Sequence, residues 1–133
     1  MRLLSSALYC EGPSDASFLR PLLLRLCEAT AVDAREPVEV PDVIDLRDRP
    51  EHHSRPRDER IALAARAADG AWIVLFIHAD ADARQARTAI TERVQPAIDR
   101  LASDLGANRQ AVAVVPIRTT EAWLLADLDA FRQ

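Results

Sequence analysis

Apolar positions recur along this chain in two rhythms, one suited to strands and one to helices. Leu3 to Cys10 is mostly apolar and predicts a buried strand. Pro13-Ser14 then marks a turn and a helix cap. Phe18, Leu22, Leu23 and Leu26 recur at helical spacing, which predicts a helix to about Ala29, with Pro21 kinking it or marking its first regular turn. Val38-Glu39-Val40 and Val43 to Leu46 predict a second strand, broken at Pro41, and the polar stretch from Arg47 to Asp58 reads as an exposed loop. Glu59 to Asp69 is alanine-rich and helical, closed by Gly70. Ala71 to Ile77 is the clearest strand, apolar on both faces as a central parallel strand is. Ala83 to Leu105 carries the stripe Ala86, Ile90, Val94, Ile98, Leu101 and Leu105 and predicts a long helix, bent at Pro96 and ended by Gly106. Ala111 to Ile117 predicts a last strand and Glu121 to Phe131 a last helix.

The order is β-α-β-α-β-α-β-α. It predicts one α/β domain over residues 1–133, a mostly parallel sheet with helices on both faces. The last helix is barely complete at Gln133, which is consistent with a longer natural chain.

Composition narrows the chemistry. All seventeen basic residues are arginine, so no lysine can act as a catalytic point charge. The net charge of −4 argues against a generally basic nucleic-acid binder. Cys10 and Cys27 are too few for a disulfide framework or a zinc cluster and read as buried free thiols, which points to a reducing cytoplasm. The longest apolar run cannot span a bilayer, so no membrane association is expected. With glycine only at 12, 70 and 106, neither a P-loop nor a dinucleotide fingerprint can exist. The arrangement of aspartate and threonine does not fit an aspartyl phosphatase, and a phosphorelay receiver would need a lysine.

Two acidic motifs remain. Glu11-Gly12-Pro13-Ser14-Asp15 and His78-Ala79-Asp80-Ala81-Asp82 each follow a predicted strand. In open α/β sheets ligands bind beyond the carboxyl ends of the strands. Residues two apart in extended chain face the same way, so Asp80 and Asp82 should share a pocket while Ala81 faces away. Gly12 lets the backbone turn after Glu11. Clustered carboxylates need compensating charge, and oxygen ligands suit Mg²⁺ or Mn²⁺. His78 reads more simply as a packed or hydrogen-bonded core histidine than as a ligand. Arg84 and Arg87 lie close enough in sequence to steady a phosphate. Arg47, Arg49, Arg55, Arg57 and Arg60 cluster in and beside the loop after the second strand; Asp48, Glu51, Asp58 and Glu59 nearly cancel them, so they read most simply as a solvated loop, and if functional they would hold phosphates without reading sequence.

Glu11-Gly12-x-x-Asp15 with Asp80-x-Asp82 resembles the Toprim domain of topoisomerases, primases and OLD-type nucleases. The segments Glu11 to Leu19 and Thr120 to Asp127 resemble small Toprim-like proteins of bacterial defence loci, often encoded beside ATPases. The resemblance covers nearly the whole chain. It implies a Rossmann-like Toprim fold and Mg²⁺- or Mn²⁺-dependent hydrolysis of phosphodiester bonds, with two ions. It implies Glu11 as metal ligand or general acid/base, Asp80 and Asp82 as metal ligands, and Asp15 and Glu121 as ligands of a second ion. Gly12, Arg84 and Arg87 would contact substrate. The lysine of OLD-type nucleases has no counterpart, and Arg118 is the nearest stand-in. Nucleic acid, DNA or RNA, is the implied substrate and an ATPase the implied partner; a homodimer is compatible with so small an apolar domain. The alternative is a catalytically degenerate Toprim module that binds nucleic acid or that ATPase.

Overall fold

The computed structural model describes residues 2–81 and 85–116. Strands β2 (Ser6–Tyr9), β4 (Ile44–Leu46), β5 (Val74–His78) and β6 (Gln110–Val114) form a sheet in the order β4-β2-β5-β6, and every pairing is parallel. Ala7 lies opposite Ile44 on one side and Leu75 on the other. Two short strands, β1 (Arg2–Leu3) and β3 (Val38–Glu39), pair in parallel beside it.

The alternation of side chains along the central strands builds two cores. Ala7, Tyr9, Leu75 and Ile77 face one way, against Ile61, Ala62 and Ala65 of helix α2 (Arg57–Ala67) and against Val94, Ala97 and Leu101. Leu8 and Phe76 face the other way, against Leu19, Leu23 and Cys27 of helix α1 (Pro13–Val32). Helices therefore cover both faces of a Rossmann-like α/β sheet. Right-handed crossovers explain the division: β2 to β4 steps one way along the sheet and β4 to β5 steps back, so their helices go to opposite faces. The reversal leaves β2 and β5 side by side with their connections diverging. This is the switch point at which open sheets leave a crevice beyond their carboxyl ends.

Several elements differ from the sequence expectation. The first strand is two, divided at Leu4-Ser5, where the Ser5 carbonyl accepts from both Ile73 (3.0 Å) and Val74 (3.2 Å). The second is two, as the break expected at Pro41 has it: Pro41 offers no backbone donor, and each half joins a different sheet. Helix α1 is capped by Gly12 with Pro13 in its first turn; Ser14 makes no capping bond. Helix α2 starts at Arg57, before the predicted Glu59, because Pro56 sets its entry. Gly70, at φ 83°, sits in the turn after the helix, and β5 begins only at Val74. The long helix from Ala83 is instead α3 (Ala86–Ala89), a π-helical segment Ile90–Val94 and α4 (Gln95–Arg100), followed by the single turn α5 (Ala102–Leu105). Pro96 cannot donate to the turn before it, and the wider π turn precedes it. Gly106, at φ 54°, closes the segment. The predicted last helix, Glu121 to Phe131, lies outside the described residues. Both cysteines are free, Cys27 buried and Cys10 half-buried. Among the described residues no helix is long and apolar enough to cross a membrane.

Candidate metal centre

Strand β5 ends on His78, and period-two alternation turns its side chain to the α1 side, the side of Phe76. Asp80, two residues on, keeps that direction, while Ala79 and Ala81 are fully buried. Asp15 is the acid of the first turn of α1. The three meet: one donor atom from each of Asp15, His78 and Asp80 lies within 4.8 Å of the other two. His78 Nε2 is 3.3 Å from Asp80 Oδ1, and His78 Nδ1 is 4.0 Å from Asp15 Oδ2.

The histidine is 0 % exposed, and neither ring nitrogen makes a hydrogen bond among the described residues; nor does Asp80 Oδ1. Buried polar atoms are almost always paired, because desolvating one without a partner costs about 1–3 kcal/mol. Two such atoms 3.3 Å apart with no hydrogen bond between them are spaced as ligands of one cation are. Neighbouring ligands of a small six-coordinate ion stand about 3 Å apart. The group can hold a metal ion. One ring nitrogen can ligate while the other donates its proton to a carboxylate, the usual way a ligating histidine is oriented.

The local field agrees. Burial, and then the charges of Asp15, Asp45, Asp80 and Glu11, push the Cys10 thiol up to about 12. A thiol so placed is a poor nucleophile.

Glu11 does not join the group. Its carboxylate is held by Arg57 Nη1 at 3.1 Å and by Arg93 Nη2, from the face opposite α1. Arg57 also donates from Nη2 to the His78 carbonyl (2.6 Å) and from Nε to the Arg93 carbonyl (3.1 Å). Its guanidinium lies 5.7 Å from the Tyr9 ring centre. Burial lowers the Arg57 pKa and the Glu11 charge opposes that shift. The expectation that the Arg47–Asp58 stretch is a solvated face therefore fails at Arg57, which is a structural cation at the end of β5.

Gly12 has an extended backbone at φ −151°, so no sharp turn requires it; a Cβ there would meet Asp15 Oδ2 at 3.4 Å, an ordinary contact. Arg87 is exposed on α3, with no side-chain ion pair or hydrogen bond to the group among the described residues. Asp82, Arg84, Arg118 and Glu121 lie outside the described residues.

Sequence reasoning named His78 but preferred a core role for it, and missed the part of Arg57 and Arg93. For His78 a signal existed: its strand parity matches that of Asp80 and puts both on the side where α1 begins. For Arg93 there was none, since it meets Glu11 across a separation of 82 residues.

Residues 10–133 match a family described as a domain of unknown function, DUF4276. The chain belongs to that family. The match takes in Glu11, Asp15, His78 and Asp80, so the group just described lies wholly inside the family's domain. No curated protein and no solved structure matches the chain.

Proposed function

We propose that this chain is a Toprim-like, divalent-metal-dependent phosphodiesterase acting on nucleic acid. The convergence of Asp15, His78 and Asp80 at the switch point of a parallel sheet carries the reading. Asp80 and His78 Nε2 are the first ligands, and Asp15 either completes the set or fixes the imidazole through Nδ1. A bound ion would supply an activated water and a Lewis acid for displacement at phosphorus. A nitrogen donor among oxygens favours Mn²⁺ over Mg²⁺, since imidazole suits transition ions better than it suits Mg²⁺. By the Toprim resemblance, Asp82 and Glu121 would add ligands and a second ion.

Arg57 and Arg93 supply what the missing lysine would. They carry fixed positive charge at the carboxyl end of β5, where a phosphate could exchange with Glu11 for their donors. Glu11, once released, is free to act as a base. The same resemblance makes a cytoplasmic defence protein with an ATPase partner part of the proposal.

Labelled DNAs and RNAs incubated with Mn²⁺, Mg²⁺ or chelator, beside Asp80→Asn, test the activity. Cleavage that needs the metal and Asp80 supports it; cleavage that survives chelator or the substitution sinks it. A second reading, a non-catalytic module that binds nucleic acid or the ATPase, is favoured by the neutralised state of Glu11. Metal binding without turnover would select it.

A further inference from the structure

A second cleft lies beside the strand ends, between the loop after β4 and one face of α2. It encloses about 340 Å³ and is lined by Arg47, Arg49, Arg60 and Arg66, with His52 and a single acid, Asp48; its floor includes Leu63, Ala64 and Ala67. Positions 60, 63, 64 and 67 share one helix face, so α2 turns a small apolar strip and a guanidinium into the same hollow.

Three of the arginines are already positioned. Arg60 pairs with Asp48 (3.1 Å), Arg47 with Asp45 (2.8 Å), and Arg66 with Asp104 (3.0 Å). A guanidinium has five N–H donors, and one carboxylate uses at most two of them, so each keeps donors for a second anion. Arg60 Nε is buried without a hydrogen-bond partner among the described residues. Arg49 is exposed and has no ion pair among the described residues. Three of the four charges are thus compensated by acids, and what the cleft offers an anion is Arg49 and the remaining guanidinium donors, beside an apolar strip.

The cleft adjoins a second one that reaches the end of β2. A neighbouring cleft of about 260 Å³ shares Arg47 and Asp48 with it and is lined on its other side by Cys10, Glu11 and Gly12 at the end of β2. Cys10 in turn feels the charges of Asp15 and Asp80.

We propose that the Arg47–Arg49–Arg60–Arg66 cleft binds one nucleotide of a single-stranded nucleic acid, its phosphate on the guanidiniums and its sugar and base on the Leu63–Ala67 floor. The hollow has room for one nucleotide and not for a duplex. The proposal rests on the phosphodiesterase reading for the direction of the strand, from this cleft toward the metal edge. Guanidinium contacts to the phosphate would hold the strand without reading its sequence.

The test is fluorescence anisotropy with labelled single-stranded DNA and RNA oligonucleotides, in chelator, on the Asp80→Asn protein, so that neither metal nor cleavage enters. Arg47→Ala/Arg49→Ala is added, and compared with Arg25→Ala/Arg35→Ala, the same charge change at exposed positions remote from the cleft. All melt at the same temperature if folded alike, since the altered side chains are exposed. Expected is about a 10-fold loss of affinity in the first pair, with a salt dependence shallower by about 0.7–1.4 in log–log slope, and little change in the second. Equal weakening by both pairs, no weakening by the first, or no binding by the parent at low salt overturns the proposal. Binding lost through Arg47 and Arg49 in a protein that never cleaves would keep this site and remove the phosphodiesterase reading. Cleavage that ignores these arginines would do the reverse.

Discussion

Two acidic groups leave the same sheet edge and meet opposite fates. On the α1 side, Asp15, His78 and Asp80 converge, and both His78 nitrogens and Asp80 Oδ1 make no hydrogen bond among the described residues. On the α2 side, Glu11 sits between Arg57 and Arg93. The first is a group that could hold a cation. The second has brought its cations from its own chain. The difference shows that an acidic motif after a strand does not by itself announce a metal site; what matters is which helix face supplies its neighbours.

The largest effect should come from breaking the uncompensated side. Asp80→Asn removes charge but little volume, so the fold should persist while Mn²⁺ affinity falls about 100-fold or more and metal-dependent cleavage disappears. Calorimetric titration of Mn²⁺ reads the affinity. Unchanged binding would mean that the α1-side group is not a metal centre. His78→Gln sharpens this. Nitrogen modulation in the pulsed EPR spectrum of the Mn²⁺-loaded protein should be present in the parent chain and absent in the variant. Its absence in both would leave His78 as a packed core residue.

The compensated side should answer in stability. Arg57→Ala strips one guanidinium from Glu11 and leaves the His78 and Arg93 carbonyls without their donor. Removing one partner of a part-buried pair of this kind costs about 2–4 kcal/mol, read from urea unfolding. Glu11→Gln in the Arg57→Ala background should cost less than the two changes added, since they share one interaction. Strict additivity would show that Glu11 and Arg57 do not depend on each other.

How much of this was legible follows from distance along the chain. Ala7 to Tyr9 and Leu75 to Ile77 announced a parallel sheet covered on both sides because a strand's burial is written in its own residues. The strand-end position of Asp15 and Asp80 was legible for the same reason. The partners of Glu11 were not, because Arg57 and Arg93 reach it from two other elements, and a polar stretch rich in both charges looks the same in sequence whether it is solvated or folded against a strand. His78 lay between these cases: its parity was readable, but whether its nitrogens would find partners depended on what α1 placed opposite. The division of the first strand at Leu4-Ser5 falls at the polar pair Ser5-Ser6, ahead of which Arg2 and Leu3 are exposed.

Alkaline pH should act more gently, and on the edge both groups share. Burial raises Cys10 to about 12, and burial followed by the Asp48 hydrogen bond raises Tyr9 to about 12. Both pKa values are higher folded than unfolded, so between their unfolded values and about 12 the native state holds protons that the unfolded chain has lost. Stability should therefore be flat up to about pH 9 and decline above it as first the thiol and then the phenol titrate. Urea midpoints measured from pH 7 to 11 check this, and Cys10→Ser should flatten the earlier part of the fall. A decline that begins below pH 8 would place its cause elsewhere.

The smallest effect is expected at Gly12, which stands between the two groups. Its backbone is extended rather than left-handed, and a Cβ would touch Asp15 Oδ2 only at contact distance. Gly12→Ala should cost about 0.5–1 kcal/mol, because alanine is a poorer N-cap than glycine and its smaller unfolded-chain entropy offsets only part of that. Mn²⁺ affinity should move within a few fold. A large loss of metal binding with stability intact would mean that the approach of Asp15 to His78 tolerates no crowding, and that the cation site is held from the Gly12 side as tightly as from β5.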